Sequence, residues 1–272
     1  MLELVNADRL VGQPSATPSM LAEALAGRSA VDSSFWAELD PPVTVVLEAD
    51  ARVAGVVSYA VRPSDQAGVI LWLHCQEDLA VATALVAHAV DRLGRRAVAA
   101  FDFASALSLG LEALPVRHRP ATCEALVAAG FVGEDLWCYM HLPLPVPGLV
   151  AAAEVEVRSG EEPGRLELVL LRDGDVLAEA TIGEPIGGIG VLWWIAVGES
   201  VRGQGLGTGL LGAPLQELAE RGAGEVILYV DDDAPGERDR AAARRLYERV
   251  GFREVDRLWS FRWPGGPGGI RG

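Results

Sequence analysis

The chain has 272 residues, a length that predicts two domains of ordinary size, and half of its residues are hydrophobic, which is enough for folded cores. Its formal net charge of −15 disfavours phosphate backbones and anionic lipids, so we expect no nucleic-acid partner and no membrane partner. The three cysteines form no CxxC pair, which indicates neither a disulfide framework nor a structural metal site. No apolar run reaches the roughly 20 residues that span a bilayer, so we expect a cytoplasmic protein.

The first half of the chain is predicted to contain five strands and two helices, in the order β-β-β-α-β-α-β. Short apolar runs bounded by turn residues predict strands at 43–48, 53–61, 68–74, 97–103 and 136–142. Helical periodicity predicts helices over 80–93 and in a segment that ends at Gly130-Phe131.

A proline-rich segment, Leu142–Gly148, divides the chain nearly in half. Its three alternating prolines disfavour a helix and remove strand hydrogen-bond donors. The segment therefore predicts an extended connector between two domains, at 1–145 and 150–263. The glycine- and proline-rich segment 264–272 is predicted to be a disordered tail.

The second half repeats the order of elements of the first. Strands are predicted at 166–171, 176–182, 190–197, 225–230 and 254–263, and helices at 203–221 and 238–250. The last helix of each half ends at Gly-Phe, which favours a tandem duplication of one α/β unit with a mixed sheet. Pro214 lies within the first helix of this half and predicts a kink or an early end, because it removes a main-chain hydrogen bond.

Between a strand and a helix of the second half lies a loop with glycines at 203, 205, 207 and 209. Glycine lets the backbone approach a ligand closely, and the N-terminal amides of the following helix attract an anion. The spacing lacks the Rossmann pattern G-x-G-x-x-G, and the chain has no lysine for a Walker A motif. The loop therefore predicts a phosphate or pyrophosphate site, with an ordinary glycine-rich helix cap as the alternative.

Two motifs in the second half resemble those of the GCN5-related N-acetyltransferase (GNAT) family. The first is R-x-x-G-x-G at Arg202–Gly207, and the second is A-x-x-L-Y-x-x-x-G-F at Ala243–Phe252. The resemblance covers residues 154–263 and implies a GNAT fold that binds acetyl-CoA (coenzyme A) and transfers its acetyl group to an amine. Two positions depart from the family pattern, since Arg240 stands where Asn is frequent and Glu199 where Pro is frequent.

The resemblance also implies which residues form the site. Main-chain groups of Ile195, Ala196 and Val197 would bind the pantetheine arm of acetyl-CoA. The pyrophosphate would lie against the loop residues Arg202, Gly203, Gln204, Gly205, Leu206, Gly207 and Thr208. Ala243 and Tyr247 would lie beside the cofactor, and Tyr247 would protonate the departing thiolate. From its helical spacing alone, Tyr247 fits equally well as an ordinary core tyrosine.

A general base is not evident in the second half, because all four histidines lie in the first half. The candidates are Asp231, Asp232, Asp233 and Glu184, with water as an alternative. The three aspartates follow a buried strand at the end where α/β sheets bind ligands. Trp193 and Trp194 are adjacent in one strand, so we expect them on opposite faces, one in the core and one beside the acyl or acceptor site.

The first half lacks the corresponding chemistry. Between its strand 68–74 and its helix 80–93 there is no glycine, and Glu77 and Asp78 would repel a pyrophosphate. Leu126 stands where the second half has Tyr247. We therefore expect the first half to be a degenerate copy of the same fold that does not bind coenzyme A.

These patterns predict an acetyl-CoA-dependent N-acetyltransferase. Its acceptor is expected to be a primary amine of a small molecule or peptide, attacked directly in a ternary complex by a monomeric or homodimeric enzyme. A tandem arrangement with a catalytic second half also resembles that of mycothiol synthases. The alternatives from other classes are a non-catalytic acyl-CoA-binding sensor and a nucleotide-binding domain that uses the same loop.

Overall fold

The computed structural model describes residues 1–151, 155–160, 164–172, 175–198, 206–231 and 240–265. Within these ranges the chain forms seven helices and twelve strands, which pair in parallel and antiparallel directions. The predicted α/β class with a mixed sheet is confirmed. The chain divides into two compact units, unit 1 with Met1–Trp137 and Asp256–Gly272, and unit 2 with Cys138–Val255. The domain limits 1–145 and 150–263 stay a prediction, and residues 266–272 of the expected tail lie outside the described residues.

Unit 1 begins with three short helices that the sequence patterns did not predict. They are α1 (Leu2–Ala7), α2 (Pro18–Leu25) and α3 (Ser33–Ala37). The strands of this unit are β1 (Val43–Ala49), β2 (Arg52–Arg62), β3 (Ala67–His74), β4 (Val98–Ala100), β5 (Leu114–Pro115) and the first part of β6 (Val132–Pro143). The longer helices are α4 (Leu79–Leu93) and α5 (Pro120–Ala128). The predicted order β-β-β-α-β-α-β is confirmed, with the two-residue strand β5 as an addition.

Unit 2 contains one strand more than predicted. Its strands are the last part of β6, β7 (Val155–Ser159), β8 (Arg165–Arg172), β9 (Asp175–Gly183), β10 (Ile189–Val197), β11 (Glu225–Asp231) and the start of β12 (Arg253–Trp263). Its helices are α6 (Leu206–Glu220) and α7 (Arg240–Val250). The additional strand is β7, a short and mostly exposed strand whose residues include two charged side chains, so it lacks a strong apolar signal.

In unit 1 the strand order is β1-β2-β3-β4-β12. The first three strands pair antiparallel, β3 and β4 pair parallel, and the C-terminal part of β12 pairs antiparallel with β4. The parallel register joins Gly68–Ile70 to Val98–Ala100 and extends no further among the described residues. β3 continues to His74, so the two strands separate beyond this short pairing.

In unit 2 the strand order is β7-β8-β9-β10-β11-β6. β7 to β10 pair antiparallel, and β10 pairs parallel with β11. This parallel register is also short, because it joins Ile189–Leu192 to Glu225–Leu228. Each unit therefore places a helix after a strand whose parallel pairing ends early, as expected for two copies of one α/β unit.

The sheet of unit 1 is covered on both faces. α4 and α5 cover one face, where Leu85 and Ile70 belong to one apolar cluster. α1 to α3 cover the other face, where Trp36 and Val69 belong to a second cluster. Neighbouring residues of β3 point to opposite faces, and burial of each such side chain contributes about 1.5–3 kcal/mol. The N-terminal helices are therefore part of the fold of unit 1.

In unit 2, α6 and α7 cover one face of the sheet. Leu211 of α6, Val250 of α7 and Leu192 of β10 share one apolar cluster there. We call this the helix-covered face and the opposite one the far face. None of the helices in the described ranges is long and apolar enough to cross a membrane.

The proline-rich segment is not an extended connector between domains. β6 continues to Pro143, and Leu144, Val146 and Leu149 pack against the core of unit 2. The main-chain N–H of Leu144 donates to the carbonyl of Gly224 over 2.8 Å. Prolines alternate here with apolar side chains, and burial of those side chains fixes the segment on unit 2.

Pro214 does not end its helix early. α6 runs from Leu206 to Glu220 with Pro214 inside it. Leu211, Leu215 and Leu218 of the same helix are buried in the core of unit 2. This packing offsets the loss of one main-chain hydrogen bond.

Candidate functional site

The candidate site is a gap in the sheet of unit 2, between β10 and β11. Their register ends at Leu192 and Leu228, whereas β10 continues to Val197 and β11 to Asp231. Chain segments that separate in this way expose main-chain N–H and C=O groups to a ligand. The predicted contact residues Ile195 and Ala196 lie on the β10 side of this gap.

In the sequence, the glycine loop follows β10 and precedes α6. Its residues Arg202, Gly203, Gln204 and Gly205 lie outside the described residues, and α6 begins at Leu206. The first N–H groups of a helix have no partner within the helix and carry the positive end of its dipole. Thr208 is half-buried in this first turn, which directly follows the segment where the anion site was predicted.

The N-terminal turn of α6 lies against α7. A Cβ atom on Gly207 would be 3.1 Å from Cδ2 of Leu246, so the glycine permits this close approach. Leu246 and Ala243 of α7 are half-buried against the core of unit 2, as is Ile195 of β10. The fold thus brings Gly207, the last residue of the first motif, next to Leu246 of the second.

Tyr247 lies on the helix-covered face. Its side chain is 7% exposed and belongs to the same cluster as Val230 of β11. The ring contacts Phe252 edge-on, with 5.7 Å between the ring centres. This placement agrees with a core tyrosine and equally with an acid that faces the gap from the helix side, so the catalytic role stays a prediction.

A β-bulge interrupts β10 beside the gap. Leu192 is the register partner of Ile182, and the next pair is Trp194 with Thr181, so Trp193 is an additional residue between them. Ile182 lies in the core on the helix-covered face. Thr181 and its partner Trp194 therefore point to the far face.

Trp193 points to the far face as well. Its Nε1 lies 2.8 Å from the position that a Cβ of Gly183 would take, and Gly183 is the register partner of Arg165. The Arg165 guanidinium lies 4.2 Å from the centre of the Trp193 ring, and the Tyr229 ring centre is 6.4 Å away. The prediction that Trp193 and Trp194 occupy opposite faces is wrong, because the bulge adds one residue to the alternation.

Of the candidate bases, Asp231 is the one that the structure places beside the gap. It is the last residue of β11 and half-buried. Val230 lies in the core, so Asp231 points to the far face, as does Tyr229. Asp232 and Asp233 lie outside the described residues.

Glu184 does not border the gap. Its carboxylate accepts a hydrogen bond of 2.6 Å from Arg221, which follows the C-terminal end of α6. The gap lies at the N-terminal end of that helix, and a helix of this length spans about 22 Å. Hydrogen bonding to Glu217 raises the pKa of Arg221, and the charge of Glu184 adds to the shift. Glu184 is therefore part of an exposed ion-pair group.

Two residues beside Trp193 were missed by the sequence analysis. Tyr229 lies between the core residues Leu228 and Val230 in β11, so strand alternation in the sequence could have placed it on the far face. Arg165 carries no local signal, because its contact with Trp193 depends on a register between strands far apart in the sequence.

Comparisons with known proteins agree with this geometry. Residues 135–252 match the sequence model of the acetyltransferase (GNAT) family. A mycothiol acetyltransferase of Beutenbergia cavernae is 35% identical over 115 residues, which are 41% of this chain and 37% of that protein. A mycothiol acetyltransferase of Corynebacterium aurimucosum is 44% identical over 63 residues, which are 23% of this chain and 19% of that protein. The matched regions thus span well under half the length of these relatives.

Two solved structures share the fold over nearly the whole chain. A GCN5-related N-acetyltransferase from Sphaerobacter thermophilus has a TM-score of 0.56 and 16% identity, and covers 94% of this chain and 96% of its own. A tandem GNAT protein from the clavulanic acid biosynthesis pathway has a TM-score of 0.54 and 17% identity, and covers 92% and 95%. The family model identifies residues 135–252 as a domain of the acetyltransferase (GNAT) family, and the chain shares the fold of these two solved structures.

Proposed function

We propose that this chain is an acetyl-CoA-dependent N-acetyltransferase and that unit 2 carries the reaction. The observation that carries the proposal is the gap between β10 and β11, together with helix α6, which begins at Leu206 shortly after β10. A long thioester with a diphosphate fits a gap between strands that ends at an anion-binding helix terminus. The loop and helix amides need little positive side-chain charge to hold the diphosphate, in agreement with the acidic chain.

Acetyl-CoA would supply the activated acetyl group as a thioester. In the proposal, main-chain groups of Ile195, Ala196 and Val197 bind the pantetheine arm, and the loop 202–208 binds the diphosphate. A bulge leaves a main-chain amide outside the regular ladder, so the bulge at Trp193 is suited to stabilise negative charge on the reacting carbonyl oxygen.

The two faces of the sheet assign different roles to the side chains beside the gap. Tyr247 lies on the helix-covered face, where it would donate its hydroxyl proton to the departing thiolate. Asp231 points to the far face, where it would accept the proton of the attacking amine, directly or through water. We propose that the amine approaches from the far face, past Trp193 and Tyr229, because the core of unit 2 fills the other face.

The acceptor is proposed to be a primary amine of a small molecule or peptide. The curated relatives favour one narrower candidate, because the matched relatives of Beutenbergia cavernae and Corynebacterium aurimucosum are named mycothiol acetyltransferases. Amines related to mycothiol therefore belong in the first acceptor panel. A non-catalytic acyl-CoA sensor remains the second candidate function, since Arg240 and Glu199 depart from the family pattern.

The test measures release of the coenzyme A thiol by the full chain, with acetyl-CoA and a panel of amines. We expect steady release with at least one amine. Tyr247→Phe should lower kcat about 100-fold, and Asp231→Asn about 10-fold, because each removes one proton-transfer group. Tyr59→Phe is the matched control, because Tyr59 is also 7% exposed but lies in the core of unit 1.

Three outcomes contradict parts of the proposal. Tight binding of acetyl-CoA without thiol release across the panel would support the sensor. Binding of ATP or NAD that coenzyme A does not displace would support a nucleotide-binding domain. Full activity of Tyr247→Phe would remove this residue from the mechanism and leave the assignment of the gap unchanged.

A further inference from the structure

Unit 1 contains a loop in the same topological position as the glycine loop of unit 2. The β3–α4 loop, residues 75–78, follows the strand of the short parallel pair and precedes a helix. It has no glycine, yet Gln76 and Glu77 both adopt positive φ, at 52° and 56°. Residues other than glycine rarely adopt this main-chain conformation, and it persists only where surrounding contacts stabilise it.

The contacts that hold this loop converge on one carboxylate, that of Asp8. Its Oδ2 accepts hydrogen bonds from the main-chain N–H groups of Cys75, over 3.0 Å, and Gln76, over 3.3 Å. Nδ1 of His74 lies 3.3 Å from the same oxygen, and Nη2 of Arg119 lies 3.4 Å from it. The Asp8 side chain is 2% exposed, so four donors surround a charge removed from water.

The positive charge in this cluster is fixed by a second carboxylate. Arg119 donates through Nη2 to the carbonyl of Leu73 and to Oγ1 of Thr122, each over 3.0 Å, and through Nε to Glu77. Glu77 also accepts from the N–H groups of Ala121 and Thr122 in the first turn of α5. The cluster is therefore connected, and Arg119 has several partners besides Asp8.

The side-chain charges agree with an anion held in this position. Burial acts to raise the pKa of Asp8, but the hydrogen bond with His74 and the charge of Arg119 outweigh it and lower that pKa. Burial lowers the pKa of His74, and the charge of Arg119 acts in the same direction. A neutral His74 donates from Nδ1, and Asp8 carries the negative charge.

Further polar contacts close the segment before residue 17 on itself and join it to the rest of unit 1. The Asn6 side chain accepts from the N–H of Ala16 over 2.8 Å and donates to its carbonyl over 3.2 Å. Oε1 of Gln13 accepts from the N–H of Leu109 over 2.7 Å. A cavity of about 90 Å³ remains, lined by this segment and by Trp72, His74 and Phe103 beside the gap between β3 and β4.

We infer that unit 1 contains an anion-binding site, formed by the N–H groups of Cys75 and Gln76 with His74 and Arg119, and that the carboxylate of Asp8 is its internal ligand. The site binds a small carboxylate, and in this chain the bound carboxylate is the side chain of Asp8. The segment 1–16 thereby closes the gap of unit 1 to external anions. This inference does not depend on the activity proposed for unit 2.

The test is anion rescue of the full-length Asp8→Ala variant. Removal of the carboxylate leaves two N–H groups without their acceptor and Arg119 with one of its two carboxylates, so the Tm should fall by at least about 5 °C. Sodium formate fits the space of the missing carboxylate, and we expect the Tm to rise with formate concentration at constant ionic strength. The Tm of the wild-type chain should not respond to formate in this way.

Two controls make the rescue specific. Formamide has nearly the shape of formate without its charge, and it should not raise the Tm of Asp8→Ala. Asp65→Ala is the matched variant, because Asp65 also accepts from a main-chain N–H and pairs with an arginine, but it lies at the surface. An equal rise with formamide, or in Asp65→Ala, would overturn the inference, as would an unchanged Tm of Asp8→Ala in the absence of formate.

A second measurement covers the case in which Asp8→Ala does not fold. Hydrogen exchange of the wild-type chain reports directly on the N–H groups of Cys75 and Gln76. We expect their exchange to be slowed at least about 100-fold relative to an unstructured chain, and to be faster in the isosteric Asp8→Asn variant. Exchange of both amides at the unstructured rate in the wild-type chain would contradict the inference.

Discussion

Single residues decide which side chains meet beside the gap of unit 2. The bulge at Trp193 shifts the alternation of β10, so that Trp193 and Trp194 share the far face while Ile195 returns to the core. If the same sequence alternated regularly, Trp194 would face the core and Ile195 the far face. The bulge therefore places Trp193 and Trp194 beside the proposed acceptor site. It also positions the main-chain amide proposed to face the thioester.

His74 provides a prediction at the residue scale. The charged groups that act on its imidazole are Asp8, Arg119 and Glu77, and burial, the largest cause, lowers its pKa. Below a pH of about 6.5 the unfolded chain binds a proton at this histidine that the folded chain does not bind. Stability is therefore lost as the pH falls from that value towards the lower pKa of the folded state.

The measurement compares the Tm at pH 7 and pH 5.5 in the wild-type chain and in His74→Gln. We expect the wild-type Tm to fall by about 2–4 °C more than that of His74→Gln, because one protonation accounts for up to about 1.4 kcal/mol per pH unit. His118→Gln is the control, because His118 is exposed in the same unit. Parallel pH profiles of wild type and His74→Gln would contradict the prediction.

At the scale of elements, the fit of α6 on unit 2 requires a glycine inside the helix. A Cβ atom on Gly212 would lie 2.9 Å from the carbonyl oxygen of Val150 and 3.0 Å from Cα of Ala151. These are main-chain atoms, so no side-chain rotation relieves the contact. The segment after the prolines thus packs directly on α6, which explains why it does not act as a connector.

Gly212→Ala tests this packing, because alanine is the better helix former by about 1 kcal/mol. We nevertheless expect the free energy of unfolding of unit 2 to fall by about 1–3 kcal/mol, since the clash exceeds the gain in helix propensity. Urea unfolding measured by circular dichroism gives the difference. Gly224→Ala is the control and should change stability by less than about 0.5 kcal/mol, because nothing lies within 4 Å of its added Cβ. Equal stability of the two variants would contradict this prediction, because it would mean that α6 can move away from Val150 and Ala151 at little cost.

The elements of both units were predictable because local patterns report on them. Short apolar runs predicted β1 to β3 and β8 to β11, helical periodicity predicted α7, and two motifs indicated the family. The interaction between Asp8 and the β3–α4 loop joins residues 66 to 68 positions apart, and no local pattern encodes it. The same holds for the bulge at Trp193, which is a property of the register between β9 and β10.

On the scale of the whole molecule, the two units share one fold and differ in the residues of the loop after β3 or β10. In unit 2 the segment after β10 carries the glycines proposed to bind the diphosphate of acetyl-CoA. In unit 1 the equivalent amides are bonded to Asp8, and Glu77 adds a second negative charge. A negatively charged ligand would have to displace a buried carboxylate from four donors, which disfavours binding there.

This difference predicts one coenzyme A per chain. Isothermal titration of the full chain should give a stoichiometry near 1 in the wild type, although the fold contains two equivalent gaps. Hydrogen exchange with bound coenzyme A should slow peptides of β10 and the start of α6, because a ligand that binds the folded state stabilises the segments it contacts. Peptides of β3 and the start of α4 should exchange at unchanged rates. A stoichiometry near 2, with slower exchange in both units, would mean that the carboxylate of Asp8 leaves its amides when a stronger anion is present, and that unit 1 has kept a working cofactor site.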